Sequence, residues 1–395
     1  MTFVAFALLA VSVPVLAATG YLLVLTLLSR SGAPPAGGPP RLRFDVLVPA
    51  HDEQVGIGRT VTNLLALRWP RELFRVLVVA DNCSDDTAAL AAAAGATVLV
   101  RNDASRRGKG YALEAGFARI RADGLSDATV VVDADTLVSP DLLARFAAHL
   151  EAGHPALQAR YGVLNRDASW RTRLMAIAFA MFHDVRSLGR NRLGVSCGLR
   201  GNGMCFANEV LDRVPHDAFS IVEDLEYGIR LGLAGIRVGY VHEVEVRGEM
   251  AAQGSGVGTQ RARWEGGRRQ IRRQYARPLL REGLRRRDRV LLDLAADVLL
   301  PPLASIGVAA LAGLVLAAIA VYLGSPAWTL VPWALALLFL SIHVARGLQL
   351  SGAGVRGAYA LALAPAYVAW KLVFAARGAR PGREWVRTSR VDPPA

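Results

Sequence analysis

FDVLVPAHDE, residues 44–53, is a short apolar run that ends in two carboxylates, and the same arrangement recurs along the chain. Four strands are predicted, at residues 45–48, 75–79, 97–100 and 129–132, and carboxylates follow the first, second and fourth of them. Alanine-rich, helix-like segments separate them, at residues 59–67, 84–94 and 111–122. Strands that alternate with helices predict a doubly wound, mostly parallel α/β sheet. Ligands of such sheets bind beyond the carboxyl ends of the strands, where these acidic motifs begin.

Apolar residues make up 53% of the chain and the mean hydropathy is +0.30, which favours membrane segments. Uncharged runs long enough to span a bilayer occur at residues 3–28, 298–323 and 326–345. The first is interpreted as a membrane helix because it is too long for a signal peptide and no basic region precedes it. The predicted division is 1–30 (N-terminal transmembrane helix), 31–40 (Pro/Gly linker), 41–289 (cytoplasmic α/β domain), 290–350 (transmembrane hairpin) and 351–395 (interfacial amphipathic helix with a basic cytoplasmic tail).

Arginines flank the apolar runs on the side of the central domain. Arg30, Arg41 and Arg43 follow the first run, and a dense arginine cluster precedes the second. The positive-inside rule therefore predicts an integral protein of the cytoplasmic membrane, with the N-terminus outside and the central domain and C-terminus in the cytoplasm. Residues 355–376 are either a fourth span or an amphipathic helix on the membrane surface. We favour the surface helix because a fourth span would export the basic tail.

The net charge is +13, yet Lys109 and Lys371 are the only lysines among 46 basic residues. Lys109 stands in Arg107-Gly108-Lys109-Gly110, directly before a predicted helix, where a glycine-bearing turn and a helix N-terminus favour anions. It is interpreted as a nucleotide contact rather than a solvated charge. The three cysteines have no metal-ligand spacing, and their odd number gives no disulfide framework.

Asp133 and Asp135 follow an apolar strand at positions i and i+2, so both carboxylates point to the same side of an extended backbone. This pattern suits a hard divalent cation, Mg²⁺ or Mn²⁺, that bridges the protein to a diphosphate. Asp81 ends an earlier strand, and Asp81 and Glu53 are the candidates for nucleoside binding. His242 is either a third metal contact or an ordinary strand histidine.

Ser220-Ile221-Val222-Glu223 matches a capping box ahead of a helix, which leaves Asp224 available as a general base for an acceptor hydroxyl. Its helix N-terminus lowers the pKa of Asp224 and an enclosed site raises it, and the sequence leaves that balance open. Gln260, Arg263 and Trp264 are spaced i, i+3 and i+4 and so share one helix face. Arg263 is suited to a diphosphate, and Trp264 to a sugar ring.

Together these motifs resemble the membrane-associated, inverting family 2 glycosyltransferases with a GT-A fold, a group that includes cellulose, hyaluronan and chitin synthases and ceramide glucosyltransferases. The resemblance covers roughly residues 42–275. It implies that Asp133-Ala134-Asp135 is the D-x-D motif, with Asp135 the more direct metal ligand. It also implies that Asp224 is the base, that Gln260 to Trp264 form the Q-R-x-R-W motif, and that Gly201, Asn202 and Gly203 line an acceptor site with Gln260 and Trp264.

The resemblance implies inverting transfer from a UDP-sugar, which forms a β-linkage. Glu53, Asp81, Lys109, Asp133 and Arg263 would bind the donor, and the acceptor would be a lipid or a growing glycan. Three or four spans are few for a self-contained polymer channel, so two alternatives remain. One is a polysaccharide synthase that works as a homo-oligomer or with an export partner, and the other adds one sugar to a lipid.

The basic stretch 261–289 holds twelve arginines, which raises the alternative of a nucleic-acid-binding or scaffold membrane protein. The stretch adjoins a membrane span and has few interleaved aromatic residues for base stacking. Contact with membrane lipids explains it better, and no nucleic-acid partner is expected. A scaffold would leave the ordered carboxylates without a role.

Overall fold

The computed structural model describes residues 2–250 and 256–364, with the backbone alone at residues 2 and 256–265. One sheet of eight strands organises this part of the chain. The strands are β1 (Phe44–Ala50), β2 (Phe74–Asp81), β3 (Thr97–Arg101), β4 (Ala128–Val131), β5 (Thr136–Val138), β6 (Ala156–Val163), β7 (Met204–Ala207) and β8 (Val238–Gly248). Their order across the sheet is β3-β2-β1-β4-β7-β6-β8-β5.

The helices surround the sheet or extend from it. They are α1 (Thr2–Leu27), α2 (Ile57–Leu65), α3 (Thr87–Ala93), α4 (Lys109–Asp123), α5 (Leu142–Glu151), α6 (Trp170–Phe179), α7 (Arg186–Leu193), α8 (Asn208–Arg213), α9 (Glu223–Leu233), α10 (Gly256–Arg286), α11 (Arg289–Leu299), α12 (Leu303–Tyr322), α13 (Val331–Ser351) and α14 (Gly354–Ala362). A π-helical turn, Ala180–Val185, joins α6 to α7, and short 3₁₀ turns occur at Arg71–Leu73, Arg166–Ala168 and Ala327–Leu330.

The first half of the sheet is the predicted doubly wound unit. β1 pairs in parallel with β2 and β4, and β2 pairs in parallel with β3. All four predicted strands are present, and α2, α3 and α4 fill the three predicted helical segments. In the second half β7 runs antiparallel to both neighbours, while β6 and β8 are parallel. The whole is a mixed, mostly parallel sheet of the GT-A type.

Alternate residues of β1 enter two different cores, as the pleat of a strand requires. Val46 and Val48 pack into the apolar cluster on one face of the sheet, and Leu47 packs into the cluster on the other. On the Leu47 face α4 approaches closely at Gly116, where an added Cβ would lie 2.4 Å from Leu47 Cδ1. This approach places Lys109, the first residue of α4, near the carboxyl end of β1.

Three helices of the described ranges are long and apolar enough to cross a membrane: Phe3–Leu27, Leu303–Tyr322 and Ala327–Ser351. The predicted span 298–323 needs correction, because α11 ends at Leu299 and α12 begins only at Leu303. Pro301 and Pro302 separate the two helices, since proline lacks the N–H that a continuing helix needs. The hairpin therefore does not begin at residue 290.

Helix α11 belongs instead to the packing of the α/β domain. Its residues Leu291, Leu294 and Val298 share an apolar cluster with Ile271 and Leu279 of α10. The predicted surface helix begins as α14, where an added Cβ at Gly357 would lie 3.4 Å from Ile177 of α6. The rest of that prediction, with the basic tail, lies outside the described residues.

Candidate active site

The carboxyl ends of β1, β2 and β4 bring the predicted carboxylates to one edge of the sheet. Asp52 and Glu53 follow β1, Asp81 is the last residue of β2, and Asp133 follows β4 closely. β2 and β4 lie on opposite sides of β1, so the strand order reverses at β1. Doubly wound sheets bind ligands at such a reversal. The His51 ring nitrogen Nδ1 lies 2.7 Å from the Asp81 carbonyl oxygen and links the first two loops.

The buried Asp81 forms an ion pair with a half-buried arginine that the sequence interpretation did not include. Its Oδ1 accepts a hydrogen bond from Arg101 Nη1 at 2.5 Å and another from Asn82 Nδ2 at 3.1 Å. Arg101 is the last residue of β3, the strand beside β2. The region predicted to bind a nucleoside therefore contains both an acceptor and a cationic donor.

The loop after β1 is fastened to the start of α3. Asp52 has a positive φ of 52°, and its Oδ1 accepts the Ser84 N–H at 2.6 Å. The Glu53 N–H donates to Thr87 Oγ1 at 2.7 Å. Ser84 does not cap α3, whereas Asp85 accepts the Thr87 N–H at 3.0 Å. These hydrogen bonds fix the position of the Glu53 backbone beside β2.

Asp52, Cys83 and Asp85 offer three donor atoms within 4.8 Å of one another, a spacing that a metal ion would fit. Both carboxylates already accept backbone N–H groups, from Ser84 and Thr87. Burial raises the pKa of the Cys83 thiol, so the metal-binding thiolate is disfavoured. We interpret the cluster as local bonding between two loops.

The D-x-D motif forms a turn between β4 and β5. Asp133 and Asp135 are partly exposed while Ala134 between them is buried. The motif is a turn rather than the extended backbone that the spacing argument assumed, and the shared direction of the two carboxylates stays a prediction. Asn202 holds this turn: its Oδ1 accepts the Asp133 N–H at 3.2 Å, and its Nδ2 donates to Thr136 Oγ1 at 2.7 Å. Carboxylate oxygens held in this way fit a hard divalent cation that also binds diphosphate and water.

Lys109 is the centre of the site. Its Nζ lies 2.5 Å from Asp133 Oδ1, 2.6 Å from the Gly201 carbonyl oxygen and 3.8 Å from a carboxylate oxygen of Glu223. Burial acts to lower the pKa of Lys109, but the charges of Asp133 and Glu223 outweigh it and the pKa is raised. Lys109 is therefore a charged link among these groups, and the alternative of a solvated surface lysine is wrong.

The predicted capping box at Ser220 is also wrong. Helix α9 begins at Glu223, its cap residue Val222 makes no side-chain bond, and the Ser220 hydroxyl is buried without a partner among the described residues. The Glu223 carboxylate instead points to Lys109. A tertiary ion pair has replaced the local bond that the sequence pattern favours.

Asp224 lies in the same small space as Lys109. A Cβ added at Gly201 would lie 3.5 Å from Lys109 Nζ and 3.6 Å from Asp224 Oδ2. Burial raises the pKa of Glu223 to about 7, although Lys109 opposes the shift. Burial also raises the pKa of Asp224, against the Leu225 N–H and Lys109, so enclosure outweighs the helix N-terminus.

The Gly201-Asn202-Gly203 loop is held by its backbone conformation. Gly201 and Gly203 have φ values of +77° and +68°, a region that favours glycine, and a Cβ at Gly203 would lie 2.7 Å from Val246 Cγ2. Asn202 is fully buried and bonded to the D-x-D turn. Gly201 is thus the residue of this loop that faces Asp224 and Lys109, and an acceptor role for the loop stays a prediction.

The side chains of Gln260, Arg263 and Trp264 lie outside the described residues. Their backbone belongs to α10, so a helix does carry the three positions. Their shared face and their contacts with donor and acceptor remain predictions.

Sequence interpretation missed two charged residues of the site. Arg101 ends a strand of the parallel sheet, and the rule that ligands gather at such ends gives a signal for it. Glu223 stands directly before Asp224, and two adjacent acidic residues at a helix start are a signal for shared electrostatics. His242 is a strand histidine on β8, with its Nδ1 3.6 Å from a Glu243 oxygen.

Comparison with known proteins assigns this arrangement to a family. The family model described as "Glycosyltransferase like family 2" matches residues 39–267, which include every site residue discussed above. The match spans the described parallel sheet, the D-x-D turn and the start of α10.

Two curated relatives match half of the chain or more. A "Beta-monoglucosyldiacylglycerol synthase" of Synechocystis is 29% identical over 255 residues, which are 60% of this chain and 52% of the relative. A "Probable glycosyltransferase YdaM" of Bacillus subtilis is 25% identical over 209 residues, 50% of this chain and 48% of the relative. The chain therefore spans about half the length of these relatives.

The fold also matches a solved structure over nearly its whole length. The mannosyltransferase PcManGT of Pyrobaculum calidifontis, solved with GDP-Man and Mn²⁺, has a TM-score of 0.57 and 19% identity. The match covers 94% of this chain and 98% of that protein.

Proposed function

Because this chain belongs to the glycosyltransferase family 2-like proteins, we propose that it is a membrane-bound, inverting transferase that moves a sugar from a UDP-sugar to a hydroxyl acceptor. The observation that carries the proposal is the group centred on Lys109, which joins Asp133 of the D-x-D turn to Glu223 at the start of α9. Asp224 follows directly, beside the Gly201 carbonyl that Lys109 also contacts. One cation thus links the proposed diphosphate site to the proposed base.

The reaction is a single displacement at the anomeric carbon. Asp224 accepts the proton of the acceptor hydroxyl as its oxygen bonds to that carbon. The bond from the anomeric carbon to the diphosphate oxygen breaks, and UDP leaves with the electron pair. Lys109 and Arg263 stabilise its developing charge, and an α-linked donor gives a β-linked product.

A divalent cation fits this donor set. Asp135, as the more direct ligand, and Asp133 would hold Mg²⁺ or Mn²⁺, with diphosphate and water completing the coordination. When bound, the cation supplies positive charge to the diphosphate oxygens. The contact between Lys109 and Asp133 supports the proposal for one of the two ligands, because it restrains that carboxylate.

Asp81 and Arg101 form the proposed nucleoside contact together with Glu53. Uracil offers one imide N–H between two carbonyl oxygens. The Asp81 carboxylate can accept from that N–H while Arg101 donates to a carbonyl, and at the ends of β2 and β3 Asp81 is buried and Arg101 half-buried.

The acceptor is proposed to be a lipid that receives one sugar, at a site lined by Gly201, Asn202, Gly203, Gln260 and Trp264. The Synechocystis relative is by its name a glycolipid synthase, and three helices of the described chain are suited to a membrane. The second candidate is a polysaccharide synthase that extends a growing glycan as a homo-oligomer or with an export partner. The small number of candidate spans in the described ranges favours the lipid.

The enzyme is proposed to lie in the cytoplasmic membrane, with the N-terminus outside and the α/β domain and C-terminus in the cytoplasm. Arginines on the domain side of the apolar helices support this orientation. Membrane lipids, and no nucleic acid, are the proposed surroundings of the basic helix α10.

The test is UDP release by detergent-purified protein with Mg²⁺ or Mn²⁺, a panel of UDP-sugars and a lipid extract. We expect release from one donor, loss of that release in Asp224→Asn, and a sugar-bearing lipid as product. A long glycan product would support the second candidate. Protein that binds neither UDP nor any UDP-sugar would refute the donor assignment.

A further inference from the structure

Four arginines converge behind the proposed active site. The guanidinium carbons of Arg186, Arg200 and Arg268 lie 4.5, 4.4 and 5.3 Å from the centre of the Phe182 ring. Arg190, fully buried, follows Arg186 by one turn of α7. Phe182 stands in the π-helical turn between α6 and α7, a feature that recurs at functional sites. We call this group the Phe182 arginine cluster.

Two carboxylates of α11 neutralise part of the cluster. Arg190 lies 3.2 Å from Asp293 and 3.0 Å from Asp297. Arg186 and Arg268 also pair with Asp297, the latter at 3.4 Å. One aspartate therefore serves three arginines, and the ion pairs account for only half of the positive charge.

Arg200 has no carboxylate within 4.0 Å among the described residues, although it is 92% buried with 8% of its surface exposed. Its Nη2 donates to the Cys197 carbonyl oxygen at 2.9 Å, while its Nε is buried without a partner in the described part of the chain. Arg186 Nε and Arg190 Nη1 are likewise buried with no hydrogen-bond partner in the ranges that the structure describes. Buried cations are costly unless an anion and hydrogen-bond acceptors accompany them, so this group points to an anionic ligand.

The cluster adjoins the proposed base. Arg200 directly precedes Gly201, whose added Cβ would lie 3.6 Å from Asp224. Burial and the neighbouring Arg190 lower the pKa of Arg200 to about 10, and Asp224 acts in the opposite direction. Burial similarly lowers the pKa of Arg268 to about 10. Both side chains remain charged at neutral pH and lie within electrostatic reach of Asp224.

The cluster also reaches a candidate membrane helix. The Tyr21 hydroxyl of α1 lies 2.7 Å from Asp293 Oδ1 and 2.9 Å from Arg190 Nη2. Helix α1 ends at Leu27, and at a rise of about 1.5 Å per residue Tyr21 lies about 9 Å before that end along the helix axis. Tyr21 thus links the cluster to the end of α1 that leads into the α/β domain.

We propose that the Phe182 arginine cluster binds a phosphate group carried by the acceptor lipid, and that this contact presents the acceptor hydroxyl to Asp224. The inference rests on the proposed function and narrows the acceptor to a lipid with a phosphate ester near its reacting hydroxyl. Guanidinium groups bind phosphate in bidentate fashion, and among the described residues Arg200 has neither a carboxylate within 4.0 Å nor a partner for its Nε. A neutral lipid would not supply an anion to this side chain.

The experiment separates a lipid extract into neutral and anionic fractions by anion exchange and measures sugar transfer to each in phosphatidylcholine nanodiscs. We expect the anionic fraction to support transfer at least about tenfold better, as one charge-assisted contact allows. In Arg200→Gln this preference should fall about tenfold, while Arg200→Lys should retain part of it. Arg121→Gln, at an exposed pair with Asp212, is the control that removes one arginine elsewhere and keeps the preference.

Because the readout is a preference between two acceptors, a general loss of activity or stability in the variant does not imitate the expected result. Equal transfer to the neutral fraction, or an unchanged preference in Arg200→Gln, would overturn the proposal. Added phosphatidic acid that activates transfer to the neutral fraction would assign the phosphate to a separate lipid and overturn the acceptor assignment. UDP release without transfer to either fraction would contradict the lipid acceptor of the proposed function itself.

Inorganic phosphate provides an independent probe of the same site. It should inhibit transfer in competition with the acceptor lipid and without competition against the UDP-sugar. Competition against the UDP-sugar alone would place phosphate at the donor site and count against the cluster. Melting temperatures of both Arg200 variants establish that the protein compared is folded.

Discussion

The Nζ of Lys109 lies 2.5 Å from Oδ1 of Asp133, and Lys109 is the one lysine of the described chain. It therefore neutralises the first carboxylate of the D-x-D turn while it also contacts the Gly201 carbonyl and Glu223. No local pattern predicts this link, because α4 and the D-x-D turn are brought together by tertiary packing, such as that of α4 on β1 at Gly116.

Lys109→Gln should lower kcat/KM for sugar transfer by about 100-fold or more, because a preorganised positive charge at the diphosphate is lost. Lys109→Arg keeps the charge and should retain more activity than the glutamine variant. UDP release under saturating metal is the measurement. A Lys109→Gln enzyme within threefold of the native rate would mean that Lys109 only supports the fold.

The rate of transfer should fall as the pH drops, because burial raises the pKa values of Glu223 and Asp224 and the base must be unprotonated to act. Glu223→Gln removes the negative charge beside Asp224, so the acidic limb of the pH–rate profile should move to lower pH. Glu226→Gln, farther along α9, should leave the limb in place. An unmoved limb in Glu223→Gln would show that the two carboxylates do not share their titration.

Arg101→Gln should weaken UDP binding by about tenfold with a smaller effect on kcat, since it leaves the Asp81 carboxylate buried without its cation. Isothermal titration with UDP measures the change. Arg106→Gln is the matched control, because Arg106 is exposed and pairs with Glu114 at 2.9 Å. Equal affinity of the two variants would remove Arg101 from the nucleoside site.

Two glycines of one loop should respond differently to alanine. Gly203→Ala should cost about 2–4 kcal/mol of stability, because its φ is positive and the new Cβ would press on Val246. Gly201→Ala meets no atom nearer than 3.5 Å and should cost about 1–2 kcal/mol. Its methyl group would stand between Lys109 and Asp224, so transfer should slow more than the stability loss explains. Denaturation and UDP release, measured on both variants, compare the two effects.

Gly189→Ala should loosen the contact between α7 and α1 and cost about 1–3 kcal/mol, because the added Cβ would lie 2.4 Å from the Leu25 carbonyl oxygen. Gly20→Ala, on α1 itself, has nothing within 4 Å and should be neutral or slightly stabilising. Thermal unfolding in detergent compares them. A Gly20→Ala variant that is less stable than Gly189→Ala would contradict this packing.

The parallel half of the sheet was predictable because β1, β2 and β4 are buried on both faces and so appear as continuous apolar runs. The antiparallel half was not predicted. β5 has only three residues and β7 only four, and the buried polar residues of the later strands, such as Gln158, obscure the apolar pattern. Their identity as strands depends on partners distant in the sequence.

The residues of the candidate site also fall into a predictable group and a group that was not predicted. Residues that follow strands, such as Asp81 and Asp133, were found because the topology of a doubly wound sheet gathers them. Glu223 was assigned to a capping box because S-x-x-E is a local signal, whereas its burial against Lys109 is a tertiary event. Arg200 gave no signal at all, since a charge becomes unusual only once it is known to be buried.

The bond between Tyr21 and Asp293 joins residues that lie 272 positions apart. During synthesis Tyr21 leaves the ribosome with the first apolar helix, long before Asp293 and Asp297 have been translated. Until then Arg186 and Arg190 lack the two aspartates with which they pair in the folded protein. The π-helical turn before them therefore lies next to arginines whose charge these aspartates do not yet balance. Completion of the α/β domain thus depends on the segment made after α10, so we expect a nascent chain halted before α11 to contain the first apolar helix but not a fully packed α/β domain.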